Sequence, residues 1–411
     1  MKLNVFFSDK LAGNLESTPD RGVVFRYDTN FIKGGIPLSQ SLPLQTAEFS
    51  QQDSLPFFSG ILPEGDVKHR ISDFLHISET STFKLLQELG GDCAGMISIL
   101  PESEQNFSAA SYPLNENFYE KISNETLLEF IQNENNRPLL KAREELRLSL
   151  AGAQEKLPLA YFDGCFYLPK NGAPSTHILK PTGNGELVSL AANEYICMQL
   201  ARNVGLSVPE SALCRIGSQT FFLIERYDRW REANRISRLH QEDMCQALGI
   251  LSDHKYQNDG GPGIFDIYNL LKQKATIPLL DTRRYLQYVL FNLIIGNCDA
   301  HGKNYSLLYE GSVLKLSPIY DVVCTVVYPS LTKKMSMKIG KHYEIERITK
   351  DDLRFMADEI GLRQTVLVDM YSNLLERVIK SFEKLTDDIS LVNFENIVSG
   401  IFRSVMERKL L

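Results

Sequence analysis

Asn297-Cys298-Asp299-Ala300-His301-Gly302-Lys303-Asn304 ends a long apolar helical stretch, and Pro318-Ile319-Tyr320-Asp321 follows a short strand-like insertion. The insertion reads as a hairpin: Tyr305 to Tyr309, then Glu310-Gly311-Ser312, then Val313 to Leu316. Asp299 and Asn304 lie five positions apart, before the hairpin, and Asp321 lies just after it. This layout suits the transfer of a phosphoryl group, whose negative charge is spread over several oxygens. Magnesium prefers hard oxygen ligands and keeps several waters. Asn304 and Asp321 offer it two oxygens from the two sides of one hairpin. Asp299 is then left to accept the proton of an attacking hydroxyl or to orient it. Lys303 stands ready to neutralise the phosphate in transit.

Other readings of the same residues are weaker. Any one of Asp299, Asn304 and Asp321 alone reads as a helix cap or a turn opener. Together, around one hairpin, they read as a site. Asp299-x-His301 lacks the further His or carboxylate ligands of a metal hydrolase. Gly302-Lys303 mimics a P-loop, but Gly296 is six positions before Gly302 rather than five, and Asn304 stands in place of Ser or Thr. Protein kinases use this order: an Asp, an Asn five positions on, a hairpin and a metal-binding Asp.

Outward from this stretch the chain divides into three zones. Residues 231–411 are mainly helical. Thr282 to Ile295 places Tyr285, Leu286, Val289, Leu290, Leu293 and Ile294 on one face. Asp351 to Ile360 and Thr365 to Phe382 also read as helices, with Gly361 between them. Residues 124–230 begin with a short helix, Leu127 to Gln132, and continue as strands. Leu146 to Leu150 alternates, Ala151 to Lys156 turns, and Asp163-Gly164 is a hairpin signal between Leu157 to Phe162 and Cys165 to Leu168. His177-Ile178-Leu179-Lys180 is a strand stopped by Pro181. Val188 to Val204 is a helix stopped by Gly205, and Phe221 to Glu225 is a buried strand. Residues 1–123 mix short strands with helices, among them one lined by Phe83, Leu85, Leu86 and Leu89. Gln105 to Asn117 reads as a loop. The expected fold is α+β and two-lobed like a protein kinase. It comprises an extra N-terminal α/β subdomain (1–123), an N-lobe with phosphate loop and hinge (124–230), and a mainly helical C-lobe with the catalytic and metal-binding loops (231–411).

Further candidates follow from that order. Lys180 ends a strand of the first lobe, where a kinase needs a cation on the α- and β-phosphates. Glu194, fourteen positions on, is its candidate carboxylate partner, with an ordinary surface residue as the alternative. Ser149 to Lys156 sits where a phosphate-covering loop belongs. Its small residues Ala151, Gly152 and Ala153 let backbone N–H groups approach phosphate, although Gly152 is the one glycine present. Glu225, Tyr227 and Asp228 are candidate ATP contacts on the strand leaving the lobe, with an Arg226–Asp228 ion pair as the structural alternative. Gln154 and His301 complete the candidate ATP set.

Composition bounds the rest. Among 411 residues, 43% are hydrophobic and 23% charged, as in an ordinary globular protein. No run approaches the roughly 18 apolar residues of a membrane helix. The stretch around Tyr288 to Ile295 is interrupted by Asn292. The start of the chain lacks a secretory apolar core. Seven cysteines with no C-x-x-C pair argue against a disulfide framework and a zinc finger, and for a reducing cytoplasm. A net charge of -7 argues against general nucleic-acid binding, and the basic run Arg226 to Arg238 reads as a solvated loop more than a patch.

Many of these motifs also resemble HipA-type serine/threonine kinases. They include Ser149 to Lys156, His177 to Pro181, Asn193-Glu194-Tyr195, Glu225 to Arg229, Gln241 to Gln246, and Lys255-Tyr256-x-x-Asp259-Gly260-Gly261-Pro262-Gly263. Leu62-Pro63-Glu64-Gly65 and Gly91-Asp92-Cys93-Ala94-Gly95 resemble that family's N-terminal region. The resemblance spans nearly the whole chain. It implies an ATP- and Mg2+-dependent toxin, partnered by a HipB-like helix-turn-helix antitoxin through which it meets DNA indirectly. The implied target is a serine of an aminoacyl-tRNA synthetase, the glutamyl enzyme foremost, so that translation stalls and dormancy follows. By matching position it makes Lys180 the ATP lysine, Asp299 the catalytic aspartate, Asn304 and Asp321 the magnesium ligands and Ser149 the autophosphorylated serine. Pro181 departs from the family, which often has an apolar residue there. Two other functions stand beside this one: a subunit of a repressor complex with dispensable catalysis, and a small-molecule phosphotransferase.

Overall fold

The computed structural model describes residues 1–103, 109–132, 156–182, 187, 189–385 and 388–408. The chain is α+β, and it forms two compact units, each assembled from separated stretches. The first comprises Met1–Lys180, Glu225–Asp253 and Leu308–Glu310, and the second Pro181–Ile224, His254–Leu307 and Gly311–Leu411.

The first unit opens with an antiparallel sheet in the order Gly22–Tyr27, Lys10–Thr18, Lys2–Phe7, Ile97–Pro101. Its strands bury Val5, Leu15, Phe25 and Ile99 completely. Helices Gln51–Gly60 and Thr82–Leu89 belong to the same core through Phe57, Phe58, Phe83, Leu85, Leu86 and Leu89. Ser50 starts the first of these helices, its side chain accepting from the Asp53 amide at 3.3 Å. Beyond this core, His177–Pro181, Leu157–Phe162, Cys165–Pro169 and Tyr119–Ile122 lie side by side in that order. Asp163 (φ 53°) and Gly164 (φ 72°) supply the two left-handed residues that a two-residue hairpin turn requires, as their sequence predicts. Within Gln105 to Asn117, read from sequence as a loop, Tyr112–Pro113 instead adds a strand to the hairpin of Arg229–Glu232 and Arg235–Arg238.

The basic run Arg226 to Arg238 departs most from its reading. Arg226, Arg229 and Arg238 are buried, and they surround two buried carboxylates. Arg238 reaches Asp92 at 2.8 Å and Arg229 reaches it at 3.2 Å. Asp228 pairs with Arg226 at 2.8 Å and with Arg229 at 2.9 Å. Ser175 Oγ donates to Asp92 and accepts from Arg226. Three of the run's five arginines therefore turn inward, while Arg231 and Arg235 on the hairpin between them stay exposed as the solvated-loop reading expects. The carboxylates that let those three fold inward include one 146 residues away in sequence.

Another buried carboxylate of this unit, Glu242, has no ion-pair partner among the described residues. It accepts from Ser39 Oγ, the Gln40 amide (3.0 Å) and the Tyr309 hydroxyl. Burial outweighs those donors and raises its pKa from 4.5 to about 7, with nearby Asp243 adding to the rise. Between these two pH values the folded chain keeps a proton that the unfolded chain has lost, so stability falls as pH rises. Glu242→Gln is expected to remove this fall. Melting temperatures at pH 5 and pH 7.5 check it, and an unchanged pH slope in the variant would contradict the assignment.

The second unit is dominated by helices around Pro278–Ile295. That helix buries Tyr288, Phe291, Asn292 and Ile295 as well as the six residues expected on one face. It is not an amphipathic surface helix. Helices Ile264–Lys274, Gln364–Leu385 and Glu395–Glu407 pack around it, which is why its apolar residues run all round. Lys350–Glu359 and Gln364–Leu385 match the expected pair, with Gly361 (φ 75°) between them. The helix expected at Val188 to Val204 spans Leu190–Asn203. Among the described residues, no helix is long and apolar enough to cross a membrane.

Candidate active site

The site grows from the end of the central helix of the second unit. Gly296 takes the left-handed conformation (φ 78°) that ends the helix. Asn297 then folds back, its amide donating to Asn292 O at 2.8 Å and its side chain to Asn292 Oδ1 at 2.9 Å. Asn297 Oδ1 accepts from the Asp299 amide at 3.1 Å, which shapes the turn carrying Asp299. A short 3-10 turn, Gly302–Asn304, leads into the hairpin Ser306–Glu310 and Val313–Leu316. The Ser317 amide closes the hairpin onto Ser306 O at 2.9 Å. Tyr320 ties the far side back, its hydroxyl donating to Lys303 O at 2.7 Å.

Asp321 is thereby brought to Asn304. The Asn304 amide nitrogen donates to Asp321 Oδ2 at 3.0 Å. That assignment leaves Asn304 Oδ1 shielded from solvent with no hydrogen-bond partner among the described residues. A buried amide oxygen without a donor is costly, and a hard cation beside the neighbouring carboxylate would satisfy it. Asn304 and Asp321 thus fit a magnesium ion, which draws its other ligands from water and phosphate. Among the described residues there is no group of three or more His, Cys, Asp or Glu that could cage a metal. Asp321 sits at φ 57°, a left-handed conformation that Asp and Asn tolerate better than most residues.

Asp299 is exposed, and its Oδ1 accepts from the Tyr256 hydroxyl at 2.8 Å. His301, Lys303 and Asn304 are buried. The Tyr256 and His301 rings meet edge to face at 5.3 Å. The loop after Asp321 is held by Asn193, which the sequence reading quoted without a role. Its Oδ1 accepts from the Cys324 amide at 2.8 Å and its Nδ2 donates to Cys324 O at 3.0 Å, as a neighbouring strand would. Thr325 Oγ1 joins the two loops, accepting from the Cys298 amide at 2.8 Å and donating to Gly296 O at 3.1 Å. Asn193 and Thr325 carry no local signal of these bonds, because each partner is remote in sequence.

The other candidates fall elsewhere. Glu194 is fully buried in Leu190–Asn203, which removes the surface alternative. Lys180, Glu225, Tyr227 and Asp228 belong to the first unit. Lys180 is buried on His177–Pro181, and the Tyr227 hydroxyl donates to Gln241 Oε1. Asp228 realises the ion-pair alternative. Its carboxylate holds Arg226, Arg229 and the Gly95 amide (2.8 Å), which corrects its reading as a ribose contact. Burial works against ionising Asp228, but the two guanidinium groups hold it well below the usual carboxylate range. Ser149, Ala151, Gly152, Ala153 and Gln154 lie outside the described residues.

Comparison with known proteins gives the class. The family described as HipA N-terminal domain matches residues 3–100, and HipA-like C-terminal domain matches residues 148–383. The chain belongs to the HipA family of kinase toxins. It is 36% identical over 409 residues to the Y4mE protein of Sinorhizobium fredii, covering 97% of each chain. It is 30% identical over 392 residues to the serine/threonine-protein kinase toxin HipA of Shewanella oneidensis, covering 92% of this chain and 88% of that one. Its structure resembles HipA in the Shewanella oneidensis complex of HipA, HipB and operator DNA. The TM-score is 0.83 at 26% identity, over 98% of this chain and 96% of that one.

Proposed function

We propose that this chain is an ATP- and magnesium-dependent serine/threonine protein kinase, the toxin half of a toxin–antitoxin pair in the cytoplasm. The observation that carries the reading is the shielded Asn304 Oδ1 beside the Asp321 carboxylate, with Asp299 facing solvent on the loop that leads to Asn304. Asn304 and Asp321 hold the magnesium, which when bound neutralises charge on the phosphates. Asp299 orients the acceptor hydroxyl and takes its proton as the new O–P bond forms and the bond to ADP breaks. Lys303 and His301 face the phosphate side of this loop. Lys180, Glu225 and Tyr227 are the ATP contacts of the first unit, and Lys180 is the one on the phosphates.

The target is a serine of an aminoacyl-tRNA synthetase, the glutamyl enzyme foremost, and its modification halts translation. A HipB-like helix-turn-helix antitoxin is the partner and carries the complex to DNA. The complex of the Shewanella relative supports this pairing. Incubation with cell lysate and γ-labelled ATP tests the activity. A labelled protein band supports the kinase. A labelled metabolite would mean a small-molecule phosphotransferase, and no label a catalytically dispensable repressor subunit.

Ser149 is the proposed off switch. A phosphate adds close to two negative charges, which repel the phosphates of ATP from the loop bearing it. Ser149→Ala is expected to abolish self-modification while leaving transfer to the target. Intact-mass spectrometry after incubation with ATP checks this, and a full phosphate gain in the variant would place the switch elsewhere.

A further inference from the structure

The glycine-rich segment Lys255 to Gly263 has no part in the chemistry above, yet it touches the catalytic loop of the same unit. We infer that Tyr256 is a positioning residue for phosphotransfer, its hydroxyl holding one oxygen of Asp299 and with it the orientation of the carboxylate. The inference rests on the proposed role of Asp299.

The bond itself is direct: Tyr256 OH donates to Asp299 Oδ1 at 2.8 Å. A carboxylate side chain has several rotamers open to it, and each hydrogen bond it accepts narrows them. A base whose oxygens exchange places spends much of its time misaimed, and alignment is a large share of the rate in a reaction governed by positioning. A donor on one oxygen limits that exchange and so helps to set the direction in which the carboxylate presents itself.

A tyrosine hydroxyl at this distance from a catalytic carboxylate also mimics an acceptor alcohol. The alternative role is therefore a plug that must leave before substrate enters. The construction of the segment favours a brace. Gly302 donates its amide to Lys255 O at 3.3 Å, tying the segment to the catalytic loop. The Lys338 amide donates to Gln257 Oε1 at 2.7 Å, tying it to the strand Lys334–Ile339. The Asp259 and Gly261 amides both donate to Tyr256 O, at 3.0 and 2.9 Å. A side chain at Gly261 would stand 2.2 Å from His254 O and 2.7 Å from Tyr256 O, so this turn admits only glycine. The Tyr256 ring is held edge-on against His301. A segment anchored at three places is suited to holding Asp299 still rather than to swinging away.

Tyr256→Phe in the full-length protein removes the hydroxyl and keeps the ring. The expected result is a fall in kcat of about tenfold, the size of one charge-assisted hydrogen bond, with KM for ATP and the melting temperature unchanged. A kcat equal to wild type would reduce Tyr256 to packing against His301. A raised kcat would make it a plug. Either result overturns the inference while leaving the kinase reading intact. Near-normal turnover in Asp299→Asn alone would instead remove the reading of Asp299 and this inference with it.

Discussion

Asp299→Asn and Asp321→Asn, made singly, are expected to abolish phosphoryl transfer while leaving the fold unchanged. The chemistry lost differs between the two. At position 299 an amide cannot take up the proton of the acceptor hydroxyl, and loss of a positioned general base costs about a hundred to ten thousandfold. At position 321 an amide brings no negative charge to a divalent ion that must sit among phosphates, so the loss falls on metal affinity as well as on rate. The fold survives for reasons visible in the structure. Asn at 321 still offers an oxygen to the Asn304 amide, now 3.0 Å from Asp321 Oδ2, and tolerates φ 57° better than most residues. Asn at 299 still offers an acceptor to the Tyr256 hydroxyl. Raising magnesium separates the pair: Asp321→Asn regains part of its activity at high metal, and Asp299→Asn does not. Labelled-ATP turnover with the purified variants measures both, and near-normal activity in either would overturn the assignment of that residue.

The meeting of Asn304 and Asp321 was legible in the sequence because its geometry is local. Asp299, Asn304 and Asp321 lie within one helix end and one hairpin, so spacing alone constrains how they meet. Hairpin turns and helix ends were legible for the same reason, as at Asp163-Gly164 and Gly361. What stayed hidden depends on partners far along the chain. Tyr256 reaches Asp299 across 43 residues, and Asn193 reaches Cys324 across 131. Neither bond leaves a mark on the sequence around it. The same applies to the helix Pro278–Ile295, whose apolar residues were read as one stripe until its neighbours were known to surround it. Arg226 to Arg238 was misread for a further reason. Arginine is usually exposed, and its burial requires carboxylates in reach. Asp228 was visible nearby, whereas Asp92 sits in a distant motif whose role nothing in its own surroundings revealed.

Asp92→Ala is expected to be the most destabilising single substitution in the first unit, costing about 3–5 kcal/mol. The ion pairs are not themselves a large net gain, because removing five charged groups from water offsets much of their attraction. The loss comes from what the substitution leaves behind. Arg226, Arg229 and Arg238 are all buried; without Asp92, Arg226 and Arg229 keep Asp228, and Arg238 is left with no carboxylate among the described residues. The pH dependence carries the same signature. Burial disfavours the charged form of Asp92, but Arg238, then Arg229 and Arg226, lower its pKa from 3.8 to about 2. Asp228 is depressed in the same direction. A carboxylate with a depressed folded pKa contributes its full stability above the unfolded value and loses it as pH falls through the folded value. Wild type should therefore lose stability from about pH 4 down to about pH 2, and Asp92→Asn should lose less across that window because one of the two titrating groups is gone. The single tryptophan, Trp230, lies beside Arg229 and gives a fluorescence signal from this unit for urea unfolding at each pH. An Asp92→Ala protein as resistant to urea as wild type would mean that water reaches the three guanidinium groups, and that the cluster is open in solution.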